Sequence, residues 1–69
     1  MVTVVHGADA ETADLTGRTV RDVRTLYKNF FNISDEAVPK VNGKQVSEEY
    51  VVQDSEKVVF DKKADKYVN

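Results

Sequence analysis

Apolar and polar positions follow two different periods along the chain, and the change of period divides it into elements. MVTVVH, Met1 to His6, is short, β-branched and bounded by Gly7, a pattern that predicts a strand and then a turn. A second, weaker strand fits Glu11 to Leu15 and is ended by Thr16 and Gly17. The period then changes: Val20, Val23, Leu26, Tyr27, Phe30 and Phe31 recur at spacings of three and four, which places them on one helical face. Thr19 followed three residues later by Asp22 resembles a capping box, with Asp in place of the usual Glu or Gln. Pro39 keeps the helix from continuing past the Asn32 to Glu36 region.

Beyond the helix, AVPKV and KQV are short extended runs on either side of Asn42-Gly43. Asn-Gly is the strongest short hairpin signal, because both central positions of a type I′ turn need positive φ. Pro39 suits an edge or strand-start position, since it cannot donate to a ladder on both sides. EEYVV and KVVFDK follow, separated by the polar turn QDSE. The resulting order is β-β-α-β-β-β. Alternation offers Val2, Val4, Val58 and Phe60 as the sheet face that covers the helix, and points Val5 and Val59 the other way. No internal repeat or linker interrupts this order, so residues 1–62 read as one domain. The polar residues 63–69 read as a tail expected to be flexible.

Length restricts what such a domain can do. A chain of 69 residues buries only about 60% of the surface it exposes when unfolded. Its stability is expected to be modest, on the order of 3–5 kcal/mol. Ten basic against twelve acidic residues give a net charge of −2, so there is no general attraction for nucleic acid or anionic lipid. The sequence has no cysteine, which excludes a disulfide framework, a thiolate metal site and a cysteine nucleophile. No apolar run approaches the roughly 20 residues of a membrane span, and the start lacks the pattern of a secretory signal. The expected location is the cytoplasm, with no membrane partner.

Candidate chemistry is sparse. His6 is the single histidine; as a metal ligand it would need carboxylates such as Asp9 or Glu11 beside it, and a strand-end histidine is the simpler account. Asp35-Glu36 and Glu48-Glu49 are adjacent carboxylates in predicted loops, which reads as solvated charge rather than an acid/base pair held apart in a cleft. No nucleophile with a base and an orienting group is visible. VNGKQV has one glycine between two strands, whereas a phosphate cradle needs several glycines or a helix start. Lys40, Lys44, Lys57, Lys62, Lys63 and Lys66 bias the second half towards positive charge, while Asp9, Glu11 and Asp14 make the N-terminal loop acidic. Tyr50 and Tyr67 are too few aromatics for a typical single-strand binder. We expect no enzyme activity, no cofactor and no metal.

The run VPKVNGKQVSEEYVVQDSEKVVF resembles the second half of the small sulfur carriers of thiamine and molybdopterin synthesis (the ThiS/MoaD group), in which a VNG turn precedes a DG(D/E)xV turn and a closing strand. It is also similar to the TGS domains appended to some synthetases and GTPases. Both are β-grasp, or ubiquitin-like, and the likeness spans about Val2 to Phe60. It implies an α+β fold with a mixed four- to five-stranded sheet packed against one helix. Two departures stand out. Ser55 occupies the place of a usual glycine, which the second turn tolerates if it is rebuilt without positive φ there. The chain ends Lys66-Tyr67-Val68-Asn69 instead of Gly-Gly, and its glycines are Gly7, Gly17 and Gly43. A sulfur carrier needs a terminal glycine carboxylate, so the expected function is a non-catalytic protein-interaction module without the carrier end.

The open sheet face supplies the expected site: Val5 and Val59 as an apolar patch, with Lys40 and Lys44 at its rim, recognising a protein partner that the sequence does not identify. The alternatives are a TGS-like RNA- or ligand-associated regulatory module, a degenerate sulfur carrier, and a small structural subunit of an oligomer.

Overall fold

β1 (Val2–His6) and β2 (Asp9–Ala13) form a hairpin, α1 (Val20–Phe31) follows, and β3 (Val38–Val41), β4 (Lys44–Gln45) and β5 (Lys57–Asp61) complete the order. The structure is a computed structural model that describes residues 1–61, so the expectation for the tail, 63–69, lies outside the described residues. The strands make one five-stranded sheet in the order β2-β1-β5-β3-β4. The first and last strands pair in parallel at its centre, and the other pairs are antiparallel. One helix packed on this mixed open sheet is an α+β architecture of the β-grasp-like class.

Alternation divides the sheet as its sequence implies. Val2, Val4, Val41, Val58 and Phe60 are buried on the helix side, where they meet Val20, Val23 and Tyr27 of α1. Leu15, Ile33, Ala37 and Val52, all outside the strands and the helix, close the ends of this core. β2 begins two residues earlier than expected. Gly7 and Ala8 alone make the turn, so His6 already faces Asp9 and the pairing runs on to Val2 and Ala13. Leu15 then leaves the strand and enters the core, its N–H donating to the Ala13 carbonyl at 3.0 Å.

EEYVV is not a strand of the sheet; only Val51 makes an isolated bridge, with Thr19. The reason lies at the start of α1, where four backbone N–H groups have no intrahelical partner. Val20 N–H donates to the Tyr50 carbonyl and Arg21 N–H to the Glu48 carbonyl, each at 2.9 Å. The Thr19 side chain accepts from Asp22 N–H, and its carbonyl accepts the first intrahelical bond, from Val23 N–H. The segment is therefore committed to capping the helix. At the other end Asn32, in the left-handed region at φ 54°, closes the helix with its N–H on the Lys28 carbonyl.

Two turns test the sequence more closely. Asn42 and Gly43 have φ of 55° and 80°, as a type I′ turn requires, and Val41 faces Lys44 across them. Ser55 departs from expectation, because it keeps positive φ, 70°, without being glycine. That conformation costs an L-residue roughly 1–2 kcal/mol, and the surrounding contacts hold it in place. Ser55 N–H donates to the Met1 carbonyl at 2.8 Å. The Glu56 carboxylate accepts from Gln53 N–H and from the Tyr50 hydroxyl, both at 2.8 Å.

The helix face is narrower than its apolar spacing suggests. Val20, Val23 and Tyr27 are buried and Phe31 is half-buried, but Leu26 is 47% and Phe30 79% exposed. These two sit at the margin of the stripe, and β2 brings only Glu11, Asp9 and the small Ala13 to that side of the sheet. Among the described residues, β2 offers nothing large and apolar enough to cover them.

Candidate protein-binding face

The side of the sheet away from α1 is built by register. Val5 faces Val59 across the parallel central pair, Val59 faces Lys40 on β3, and Lys40 faces Gln45 on β4. On the other flank Val5 faces Ala10 of β2. Directly opposed residues share a face of a sheet, so Ala10, Val5, Val59, Lys40 and Gln45 form one row across all five strands. Val5, Val59 and Lys40 are half-buried, a state in which side chains still reach solvent. One row on, the Thr3 and Thr12 hydroxyls lie 3.2 Å apart, and Thr3 faces Lys57.

Charge frames this apolar centre. Lys40 Nζ lies 3.1 Å from the Asp61 carboxylate, and Asp61 faces Val38 in the row on the opposite side from Thr3. Lys44 is placed differently. It faces Val41, a buried residue of the helix side, so it is an exposed residue at the start of β4, next to the turn, and not a member of the row. Three of the four expected residues are thus neighbours, and the fourth stands apart because one residue of register reverses the side of a sheet.

His6 ends β1 opposite Asp9, and its Nδ1 donates to the Phe60 carbonyl at 2.7 Å. A carbonyl can only accept, so this bond keeps the proton on Nδ1 and ties the end of β1 to the end of β5. Among the described residues no group of three or more His, Asp or Glu side chains gathers as a metal site would. Nor is any helix long and apolar enough to cross a membrane.

The most connected side chain was not legible as such. Arg24 donates Nε and Nη2 to the two oxygens of Glu48 at 3.1 and 2.7 Å, Nη1 to the Ser34 carbonyl at 3.0 Å, and Nη2 to the Ala37 carbonyl at 2.8 Å. Its guanidinium carbon also sits 5.1 Å from the centre of the Phe60 ring. Glu48 is therefore a structural anion, where adjacent glutamates had suggested solvated charge. The available signal was Arg24 itself, a cation one turn from Val20 on the stripe that α1 buries. It ties α1 to the two loops that hold Glu48 and Ala37, beneath the Phe60 ring of β5.

Comparison with protein-family models, characterised proteins and solved structures gives no match for this chain.

Proposed function

We propose that the chain is a non-catalytic, ubiquitin-like protein-interaction module of the ThiS/MoaD-like kind, lacking the carrier end, which binds its partner through the open face of the sheet. The observation that carries this reading is the adjacency of Val5, Val59 and Lys40 in register on the face that the helix leaves uncovered. Val5 and Val59 supply apolar contact on the parallel central pair of strands, and Ala10 extends it towards β2. Lys57 bounds this patch, and Lys40, already shared with Asp61, bounds it on β3; this fits a partner surface with apolar side chains at the centre and carboxylates at its margin. Lys44, at the neighbouring turn, adds charge that steers the approach.

The experiment is capture by the tagged full chain from its native lysate, with and without nuclease, followed by reconstitution with the purified recovered protein. Two variants accompany it: Val5→Asp with Val59→Asp, and the β-branched pair Val5→Thr with Val59→Thr, which preserves strand propensity. The reading expects a nuclease-insensitive partner whose affinity falls at least about tenfold in the folded variants. Binding that survives both variants, or that depends on nucleic acid, overturns it.

A further inference from the structure

The flank of α1 beside β2 carries a second surface, on the opposite side of the sheet from the row just described and independent of it. β2 is an edge strand, so alternate N–H and C=O groups along it have no strand to pair with among the described residues. Beside that edge Leu26 and Phe30, one helical turn apart, stand exposed. Their placement follows from two neighbours. Arg24 ties its own side of the helix to Glu48 and to Ala37, just before β3, while Tyr27 feels the charge of Glu11 on β2. Leu26 and Phe30, turned away from Arg24, therefore border β2.

The charges that β2 and the Asp22 flank of α1 bring to this border are acidic. All three basic residues of α1 are spent elsewhere, Arg21 on Glu49, Arg24 on Glu48 and Lys28 on Asp35. Asp9 and Glu11, on the helix side of β2, and Asp22, one turn before Leu26, are in no ion pair among the described residues. An apolar strip, an unpaired strand edge and an acidic margin thus coincide.

We propose that this edge receives an extended segment of a partner protein, with apolar side chains at alternate positions and lysine or arginine at its flanks. The segment adds a strand to β2, lays its apolar side chains over Leu26 and Phe30, and sets its basic flanks against Asp9, Glu11 and Asp22. Charge complementarity selects this occupant, because a segment flanked by carboxylates would meet like charge along the whole border.

The test is a titration of the isotopically labelled full chain with the synthetic peptide Lys-Lys-Val-Thr-Ile-Thr-Val-Lys-Lys, followed by amide shifts, beside the same peptide with Asp replacing each Lys. The proposal expects perturbations confined to residues 9–13 and to the Asp22, Leu26 and Phe30 side of α1. It also expects at least about tenfold weaker binding of the acidic peptide. Phe30→Gln, at an exposed position, and Glu11→Lys, on the edge strand, should each weaken the basic peptide without unfolding the chain. Absence of binding, equal affinity for the two peptides, or perturbations centred on Val5, Val59 and Lys40 would overturn it. So would a free chain in which residues 62–69 or a second copy already occupy Phe30, seen as contacts or concentration-dependent shifts before peptide is added.

Discussion

Arg24 and Glu48 meet as a two-pronged pair, Nε on one carboxylate oxygen at 3.1 Å and Nη2 on the other at 2.7 Å, with the Arg24 side chain only 11% exposed. The pair joins the middle of α1 to the segment whose carbonyls cap the helix start. Two more guanidinium hydrogens reach carbonyls of the connection into β3. One side chain therefore ties two loops to the helix, and among the described residues no buried side-chain nitrogen or oxygen lacks a partner.

Truncation of Arg24 should accordingly cost more than an ordinary surface ion pair. We expect Arg24→Ala to lower stability by about 2–3 kcal/mol, because it strands Glu48 and the Ala37 carbonyl in a half-buried site. Arg24→Lys should recover little of that, as an ammonium cannot reproduce the planar fork. Urea denaturation of the two variants checks both statements, and a loss below about 0.5 kcal/mol for Arg24→Ala would show that water replaces the fork.

The turn at Ser55 predicts a gain. Glycine relieves the left-handed penalty of roughly 1–2 kcal/mol at an entropic cost of roughly 0.5–1 kcal/mol, so Ser55→Gly should stabilise the chain by about 0.5–1 kcal/mol. Gly43→Ala, at φ 80° with open space around the added carbon, should destabilise it by roughly 1 kcal/mol through the same backbone preference. Thermal melts of the two variants should therefore move in opposite directions.

The two sides of α1 should respond unequally to substitution. Val23 is fully buried, and Val23→Ala should cost about 2 kcal/mol. Phe30 is 79% exposed, so Phe30→Gln should change stability by no more than about 0.5 kcal/mol. A large loss at Phe30 would mean that it is covered in solution.

Alkaline pH should weaken the fold. The Tyr50 hydroxyl donates to Glu56, and this bond, then burial and the Glu56 charge, raise its pKa above the ordinary 10.0. Tyr27 is raised as well, by burial first and then by Glu11. Both phenols hold their protons more tightly when folded, so their contribution is complete below about pH 10 and falls as pH climbs towards the folded values. Urea midpoints at about pH 9 and about pH 11 should show the loss, and Tyr50→Phe should reduce it. On the acid side, the bond from the Met1 amino group, then its charge, lower the Asp54 pKa. That contribution is present above the ordinary carboxylate value and is lost as pH falls through the folded one.

Much of the fold was legible because local and global signals agreed. The span of α1, the Thr19 cap, the Asn42-Gly43 turn and the division between Val4 and Val5, or Val58 and Val59, all follow from period and turn chemistry. The misreadings arose where distant parts of the chain compete for the same residues. EEYVV has strand propensity, but its carbonyls are taken by the helix start. Leu26 and Phe30 have core spacing, but the strand that would cover them is polar. Arg24 carries no motif, and only the fold brings Glu48, Ser34, Ala37 and Phe60 around it. The proposed site was legible as a patch, since parity alone separates Val5 from Val4; the membership of Lys40 and the separation of Lys44 needed the register of β3 on β5.

The most direct measurement is a map of amide shifts on the labelled full chain as the partner recovered by capture is added. The account predicts that the largest changes fall at Ala10, Val5, Val59 and Lys40, one row crossing four strands, and that Val5→Thr with Val59→Thr removes them while leaving the free spectrum folded. Changes that leave this row untouched would contradict it.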